Sequence, residues 1–166
     1  QDLKWFFPNS RGGIEHSLLP EEGVVVPGQL IVGADSHTST YGALGNFAAG
    51  FGSTDAGIAM ATGEVWLRVP ETIKITLTGT KHPWVVGKDL VLKVIGEIGV
   101  EGANYQMLEY HGPVLQQISV DDRLTIANMA AEAQAKGAFF HVDDITMDYV
   151  KDRAQFPIEI FESDPD

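Results

Sequence analysis

The sequence has 166 residues, of which 44% are hydrophobic and 20% charged, a composition typical of a soluble globular protein. Its formal net charge of -12 and its total of 11 Lys and Arg argue against a nucleic-acid partner, because phosphate contacts need clustered basic residues. The sequence contains no cysteine, which excludes a disulfide and any thiolate ligand for a metal or cluster.

The apolar segments and the start of the chain bear on the protein's cellular location. No apolar run approaches the roughly 20 residues that cross a bilayer, so we expect no membrane partner. The first residues do not resemble a secretory signal, and we therefore expect a cytoplasmic location. Because the chain does not open with methionine, we expect it to be a fragment of a longer protein.

The first part of the chain predicts a strand, a tightly packed loop and a helix. Residues 29–34 form a short run that is apolar after Gln29, which is typical of a strand buried on both faces in an α/β protein. Residues 42–52 are mostly small and suit a close approach of the backbone. Residues 53–55 offer N-cap side chains, which predicts a helix over 56–66 with Ala, Met and Ile toward the core.

A break at Pro70 predicts the start of a second subdomain. Residues 72–79 alternate between apolar and polar residues, the pattern of a half-buried strand. The later predicted elements are a helix from residue 90, a strand at 106–110, a helix over 123–136 ended by Gly137, a strand at 139–142 and a helix over 144–153. We therefore predict an α/β fold, with the end of one three-layer domain in residues 1–69 and a second, small α/β domain in residues 70–166.

Three segments combine a carboxylate with an imidazole: 12–16, 34–38 and 109–113. A histidine whose ring N–H is held by a carboxylate has a defined tautomer and can pass a proton to a leaving hydroxyl. Two such pairs could form across the three segments. The segment 34–38 directly follows the predicted buried strand, at the position where open α/β sheets bind ligands.

A structural interpretation competes with the functional one at each position. The segment 34–38 also suits a turn or helix cap. His16 has aliphatic neighbours and is typical of a structural histidine. Glu109 lies in an apolar strand, where a buried carboxylate is costly unless it is paired or functional. We interpret His82 and His141, which adjoin bulky apolar or aromatic residues, as structural.

Two other kinds of site have weaker support. The glycine-rich stretch 42–53 lacks both the dinucleotide-binding pattern and the phosphate-loop pattern, which argues against nucleotide binding. A zinc site from His16, His37 and a carboxylate is chemically possible, although the spacing matches no standard short motif.

Residues 32–45, VGADSHTSTYGALG, strongly resemble the aconitase superfamily, and within it the branch of 3-isopropylmalate dehydratase and homoaconitase large subunits. Further matching segments lie in the same order as in the family: 14–21, 52–55, 60–64, 109–112 and 122–129. The resemblance covers nearly the whole chain, and several motifs in the right order are far more specific than one.

The resemblance implies a hydro-lyase mechanism. Family members use one iron of a [4Fe-4S] cluster as a Lewis acid, so that water is eliminated and added back and a hydroxyl moves between neighbouring carbons. By this resemblance His16 pairs with Asp35. His37 pairs with Glu109, which also hydrogen-bonds the iron-bound hydroxyl. These four residues would be catalytic, and Ser36 would contact the substrate.

The resemblance also implies a cofactor, a partner and a substrate class. The family's cluster cysteines lie in a later portion, so we expect a [4Fe-4S] cluster in the full-length protein and no metal ligand in this chain. The implied partner is a small subunit that carries a swivelling domain with the catalytic serine. The implied substrate is a 2-hydroxy di- or tricarboxylic acid such as 3-isopropylmalate or homocitrate. Thr40 stands where aconitases proper carry Asn, which favours the dehydratase branch and leaves the role of that position open.

Two alternatives remain at this point. The chain could be a non-catalytic structural domain that forms an interface with the swivelling subunit, or a cluster-free metal hydrolase using His16, His37 and Asp35. In the favoured interpretation the fragment alone is expected to be inactive.

Overall fold

The computed structural model describes residues 3–163, and within that range it contains five α-helices, five β-strands and three 3₁₀ helices. The α-helices are α1 (Glu15–Glu21), α2 (Ser53–Thr62), α3 (Gly87–Ile98), α4 (Val120–Asn128) and α5 (Asp144–Val150). The strands are β1 (Leu30–Gly33), β2 (Phe47–Gly50), β3 (Thr72–Thr76), β4 (Met107–His111) and β5 (Gly137–Phe140). The 3₁₀ helices are Ser36–Leu44, Pro113–Gln117 and Met129–Ala133. No helix within residues 3–163 has both the length and the apolar character that crossing a bilayer requires.

The strands form two parallel sheets, one of β1 and β2 and one with β4 between β3 and β5. Parallel strands need crossover connections, which the helices supply, and this arrangement confirms the predicted α/β class. The apolar run at 29–34 does form a strand. Its predicted burial on both faces is wrong, because β1 is a sheet edge and Leu30 is 62% exposed.

The two sheets lie close together through small residues. A Cβ atom on Gly137 would lie 2.8 Å from the carbonyl oxygen of Ala48 in β2. The Nζ of Lys136 donates a 2.8 Å hydrogen bond to the carbonyl of Gly50, at the end of β2. The 3₁₀ helix Ser36–Leu44 packs against both α4 and β5. The predicted boundary near residue 70 falls between the sheets, and the division into two domains stays a prediction.

The main core lies around β4 and β5. The rings of Tyr110 and Phe140 stack with centroids 4.8 Å apart and an interplanar angle of 9°. Leu108 and Ile126 are fully buried beside them. Burying a side chain of this size contributes about 1.5–3 kcal/mol, so this layer holds the carboxyl-terminal half of the chain together.

The predicted helix 123–136 differs from the observed one at both ends. Ser119 is the N-cap, accepting a hydrogen bond from the backbone N–H of Asp122, so α4 begins at Val120. After Asn128 the chain tightens into a 3₁₀ helix, which Gln134 ends in the left-handed conformation at φ 60°. Gly137 does not stop a helix but opens β5, where the close approach to β2 leaves no room for a side chain.

Helix α2 also differs from the expectation. It begins at Ser53 and ends at Thr62, where Gly63 adopts φ 76° and terminates it. Its apolar residues were expected to face the core, yet none of the helix is buried, and Met60 is 70% exposed. Periodicity indicates which side of a helix is apolar but not what covers it.

Gly42 sits where two chain segments touch, and replacing it tests this packing. A Cβ atom there would lie 1.7 Å from the carbonyl oxygen of Ala138, a backbone atom that cannot turn away. We expect Gly42→Ala to lower the free energy of unfolding by about 3 kcal/mol, at the upper end of overpacking costs. Chemical denaturation measures this change in the free energy of unfolding.

Gly96 is the matched control for that change. It lies inside α3, and a Cβ atom there would meet nothing within 4 Å. Gly96→Ala should therefore raise the free energy of unfolding by about 0.5–1 kcal/mol, because alanine favours the helix. Equal effects of the two substitutions would contradict the packing described here.

Candidate functional site

Asp35 organises the segment that follows β1. Its side chain caps the 3₁₀ helix Ser36–Leu44 by accepting a 2.7 Å hydrogen bond from the backbone N–H of His37. The same Oδ1 lies 2.9 Å from Nε2 of His16. The backbone N–H of His37 and then the ring of His16 hold the pKa of Asp35 below its usual value. Asp35 is therefore an anion that orients an imidazole.

His16 reaches this carboxylate from α1, which is remote in the sequence. The His16 side chain is 13% exposed, and its ring lies 5.6 Å from the ring of the buried Tyr41. Its Nδ1 is buried without a hydrogen-bond partner among the described residues. Because Nε2 faces Asp35, the ring has a set orientation, with Nδ1 lying 3.7 Å from Oε1 of Glu15. The structure thus brings His16 and Asp35 together, as the resemblance implies, and their catalytic role stays a prediction.

His37 pairs with a carboxylate that the sequence interpretation missed. Its Nε2 lies 3.3 Å from Oε1 of Glu132, and its Nδ1 lies 3.2 Å from Oγ of Ser36. The rings of His16 and His37 are 6.4 Å apart. Ser36 and the two imidazoles thus come together as predicted, but the acid beside His37 is Glu132.

Glu132 had a signal in the sequence. It follows Asn128 by four residues, a spacing that puts both side chains on one face of a helix. In the structure Asn128 ends α4 and Glu132 lies in the next 3₁₀ helix, and both residues line the same surface groove. The carboxylate on an otherwise alanine-rich turn made Glu132 a candidate, but the spacing did not say which imidazole it would face.

Thr40, whose role the sequence left open, connects these groups. Its Oγ1 donates a 2.6 Å hydrogen bond to the carbonyl of His37 and accepts a 2.9 Å hydrogen bond from Nδ2 of Asn128. Thr40 is 3% exposed, so the connection is shielded from water. It ties the backbone of His37 to the end of α4.

The predicted pairing of Glu109 with His37 is wrong. Oε1 of Glu109 lies 2.9 Å from Nε2 of His111 and 2.7 Å from Nε2 of His141. Burial raises the pKa of Glu109, but the hydrogen bond from Ser163 and the two imidazoles outweigh it, so the pKa lies below its usual value. His141, interpreted as a structural residue that packs on aromatic neighbours, is a partner of this carboxylate.

Glu109 and His37 lie toward opposite ends of β5. Gly50 lies beside the backbone of Asp35, because a Cβ atom on Gly50 would be 2.6 Å from the Asp35 carbonyl oxygen. The carbonyl of Gly50 accepts a hydrogen bond from the side chain of Lys136, which precedes β5. His141 follows β5. At about 3.3 Å per residue, the five steps from Lys136 to His141 span about 16 Å. The carboxyl ends of β4 and β5 thus point away from the end of β1.

A groove runs along the side of the site formed by α1 and α4. It has a volume of about 480 Å³ and is lined by His16, Thr40 and Glu132, among others. Lys88, an exposed residue at the start of α3, also lines it. The groove therefore brings the acid–base groups to an open surface with a positive charge nearby.

A second hollow of about 480 Å³ lies on the side of Ser36 and is lined by Gly50 and Lys136. Burial lowers the pKa of Lys136 from its usual value. An opening of about 530 Å³ beside α2, lined by residues such as Ile58 and Trp66, contains no imidazole. His16 and Glu132 thus line the first hollow and Ser36 lines the second, whereas the larger apolar opening is lined by none of the candidate site residues.

Among the described residues, two groups of His, Asp and Glu side chains have potential metal-ligand atoms within 4.8 Å of one another. These groups are Glu15, His16 and Asp35, and Glu109, His111 and His141. Neither contains His37, so the zinc set of His16, His37 and Asp35 considered above is not assembled. Two imidazole–carboxylate pairs beside open hollows are suited instead to move protons.

Comparisons with known proteins identify a family that the chain matches. The model of the aconitase family (aconitate hydratase) matches residues 2–164. The chain is 57% identical over 164 residues to the 3-isopropylmalate dehydratase large subunit of Aquifex aeolicus, covering 99% of this chain and 38% of that protein. It is 55% identical over 166 residues to large subunit 1 of the same enzyme from Pyrococcus furiosus, covering 100% of this chain and 39% of that protein.

The sequence match covers nearly all of this chain but less than half of each relative. A third relative, the 3-isopropylmalate dehydratase large subunit of Syntrophus aciditrophicus, is 54% identical over 166 residues, with 40% of that protein covered. The chain thus spans about two fifths of the length of the curated relatives it matches. The predicted likeness to dehydratase large subunits is confirmed, and the chain belongs to the aconitase family.

Proposed function

We propose that this chain forms part of the large subunit of a hydro-lyase that isomerises a 2-hydroxy di- or tricarboxylic acid of the 3-isopropylmalate or homocitrate type. The observation that carries the proposal is the pair of imidazole–carboxylate contacts, His16 with Asp35 and His37 with Glu132, beside one groove. The identity of more than half of its residues to dehydratase large subunits supports the same reaction.

The reaction needs a proton at two moments. A leaving hydroxyl must accept a proton to depart as water, and water must lose one when it adds to the neighbouring carbon. His37 lies between Ser36 and Glu132, so it is placed to give and take this proton. Asp35 orients His16 in the same way, which keeps a second imidazole ready beside the first.

The residues present fit a [4Fe-4S] cluster as neighbours and not as ligands. The sequence has no cysteine to ligate the irons, and each imidazole of the site is oriented by a carboxylate, His16 by Asp35 and His37 by Glu132. When bound, the cluster would supply a Lewis-acid iron for the substrate hydroxyl. Its thiolates would come from other polypeptide of the same subunit, and this chain would supply the acid–base groups.

An anionic substrate fits the charges at the site despite the acidic chain. Lys88 lines the groove and Lys136 lines the hollow on the side of Ser36. The Ser36 hydroxyl, 3.2 Å from His37, is placed to donate to a substrate carboxylate. These groups would hold part of a dicarboxylic acid.

The relatives are named as large subunits, which supports a small subunit as partner. In this proposal the small subunit carries the swivelling domain and the base that removes the carbon-bound proton. The chain alone is then inactive, because the cluster ligands and that base lie elsewhere. A cytoplasmic location stays a prediction.

A chimeric enzyme tests the proposal. We would replace the matching segment of the Aquifex aeolicus large subunit with residues 1–166, assemble it with its small subunit and load the cluster without oxygen. The chimera is expected to hydrate the isopropylmaleate double bond, and His37→Ala is expected to remove this activity without loss of the cluster absorbance. Circular dichroism controls for folding.

Three results would count against the proposal. An assembled, cluster-loaded chimera without activity would contradict the assignment of the reaction. Full activity of the His37→Ala chimera would favour the alternative of a non-catalytic interface domain. Hydrolase activity of the chain alone, dependent on added zinc and on His16, would favour the metal hydrolase.

A further inference from the structure

A second cluster of ionisable residues lies away from the proposed active site. It consists of Glu109 and His111 on β4 and of His141 just after β5, and we call it the Glu109 cluster. Both Nε2 atoms point at Oε1 of Glu109, from 2.9 Å and 2.7 Å. The three side chains are 18–27% exposed, so the cluster is half-buried but reachable from solvent.

Strand pairing holds these side chains in place. β4 and β5 pair in parallel with Glu109 opposite Phe139. The rings of His111 and His141 lie 4.8 Å apart, and the His141 ring packs edge-on against Phe139 at 5.3 Å. The ligand geometry therefore depends on the most buried sheet of the molecule and not on a loose surface.

The donor set matches that of a divalent transition metal. Two imidazoles and one carboxylate are the protein ligands of many four-coordinate zinc sites that keep one position for water. With metal–ligand distances near 2.1 Å, tetrahedral ligand atoms lie about 3.4 Å apart. The donor atoms here already lie within 4.8 Å of one another. Separating the two hydrogen-bonded contacts by about half an ångström would admit an ion.

Ser163, at the end of the described chain, hydrogen-bonds to the cluster. Its hydroxyl donates to Oε1 of Glu109 and lies 3.0 Å from Nε2 of His141. Ligating carboxylates in proteins are commonly held by such hydrogen bonds. Lys74, opposite Glu109 in the strand register, has an exposed side chain and adds a positive charge that would weaken cation binding.

We propose that the Glu109 cluster binds one Zn²⁺ through Oε1 of Glu109 and Nε2 of both His111 and His141, with water as the fourth ligand. The bound ion would join the carboxyl ends of β4 and β5 and the segment that carries Ser163. This site goes beyond the proposed hydro-lyase reaction, which uses none of these residues.

The test is a Zn²⁺ titration of the metal-free 166-residue chain by calorimetry, with Co²⁺ absorbance as a second readout. The chain has no cysteine, so no thiolate competes for the ion. We expect one equivalent to bind. We expect His141→Ala to weaken binding on the order of 100-fold, because losing even a residue that only hydrogen-bonds a ligand costs about 10–100-fold. With Co²⁺ the unsubstituted chain should show the intense visible bands of four-coordinate cobalt.

His82→Ala and His16→Ala are the controls. His82 is exposed and belongs to neither group of potential ligands, so its removal should leave Zn²⁺ affinity unchanged. His16 belongs to the other group, formed with Glu15 and Asp35. Zn²⁺ binding that is lost in His16→Ala and kept in His141→Ala would overturn the proposal. So would the absence of binding, or a Co²⁺ spectrum of the hydrated ion.

Discussion

Replacing Glu132 with Gln in the chimeric enzyme is expected to lower kcat by about 10²–10⁴-fold, the usual contribution of a positioned acid–base group. Glu132 is the carboxylate 3.3 Å from Nε2 of His37. Glutamine keeps the size of the side chain but carries no charge to stabilise the ring when His37 takes up a proton. Because the contact matters during proton transfer, kcat should fall more than KM changes. Steady-state hydration kinetics measure both.

Glu109→Gln is the discriminating control for this experiment. The family resemblance pointed to Glu109 as the partner of His37, but its oxygen contacts His111 and His141. We expect Glu109→Gln to leave kcat within a few-fold, provided that circular dichroism shows a folded chimera and cluster absorbance is retained. If Glu109→Gln abolished turnover while Glu132→Gln remained active, the pairing described here would not be the catalytic one.

The parts of the fold that could be predicted are those encoded by local sequence. An apolar run of strand length predicted β1, and alternation predicted β3, because strand formation depends on short-range patterning. Asp35 follows β1 directly, so its place at the end of the strand and the start of a helix was also readable. Its contact with His16 followed from the family resemblance and not from spacing.

The choice of partner for His37 could not be predicted from spacing because it depends on where a helix stops. Glu132 lies on the 3₁₀ helix Met129–Ala133, into which α4 changes after Asn128 and which packs against the helix that carries His37. Two competing carboxylates, Glu109 and Glu132, were available in the sequence. The packing of these helices, which spacing does not encode, brings Glu132 to His37.

The exposed face of α2 and the pairing of His141 show a second limit. The apolar periodicity of α2 predicted burial, but none of its residues is buried within the described chain. His141 adjoins Phe139 in a pattern typical of a packed residue, and the chain does bring those rings together. What the pattern lacked was the register of β4 and β5, which places Glu109 within reach of the same imidazole.

Replacing Asp143 with Ala is expected to lower the free energy of unfolding by about 3–5 kcal/mol, because the substitution leaves a buried guanidinium without its carboxylate partner. Arg123 is fully buried, and its two terminal nitrogens donate to the two oxygens of Asp143 at 2.8 Å and 2.7 Å. The remaining contacts of Arg123, with Thr146 and the carbonyl of Leu115, carry no negative charge. The substitution also removes the N-cap of α5. Chemical denaturation at neutral pH measures the loss.

The same pair predicts how stability depends on pH. Burial raises the pKa of Asp143, but the hydrogen bonds and charge of Arg123 outweigh it and hold the pKa below its usual value. The stabilisation is therefore fully present above the unfolded pKa of about 3.9 and is lost as the pH falls through the lower folded pKa. Asp143→Ala should show a weaker fall in stability over this acid range.

Asp148→Asn is the control, because it removes an exposed partner of Lys151. This substitution should change neither the denaturation midpoint at neutral pH nor the loss of stability at acid pH, since exposed ion pairs contribute little. If Asp143→Ala and Asp148→Asn lowered the free energy of unfolding equally, the buried Arg123 would not depend on Asp143.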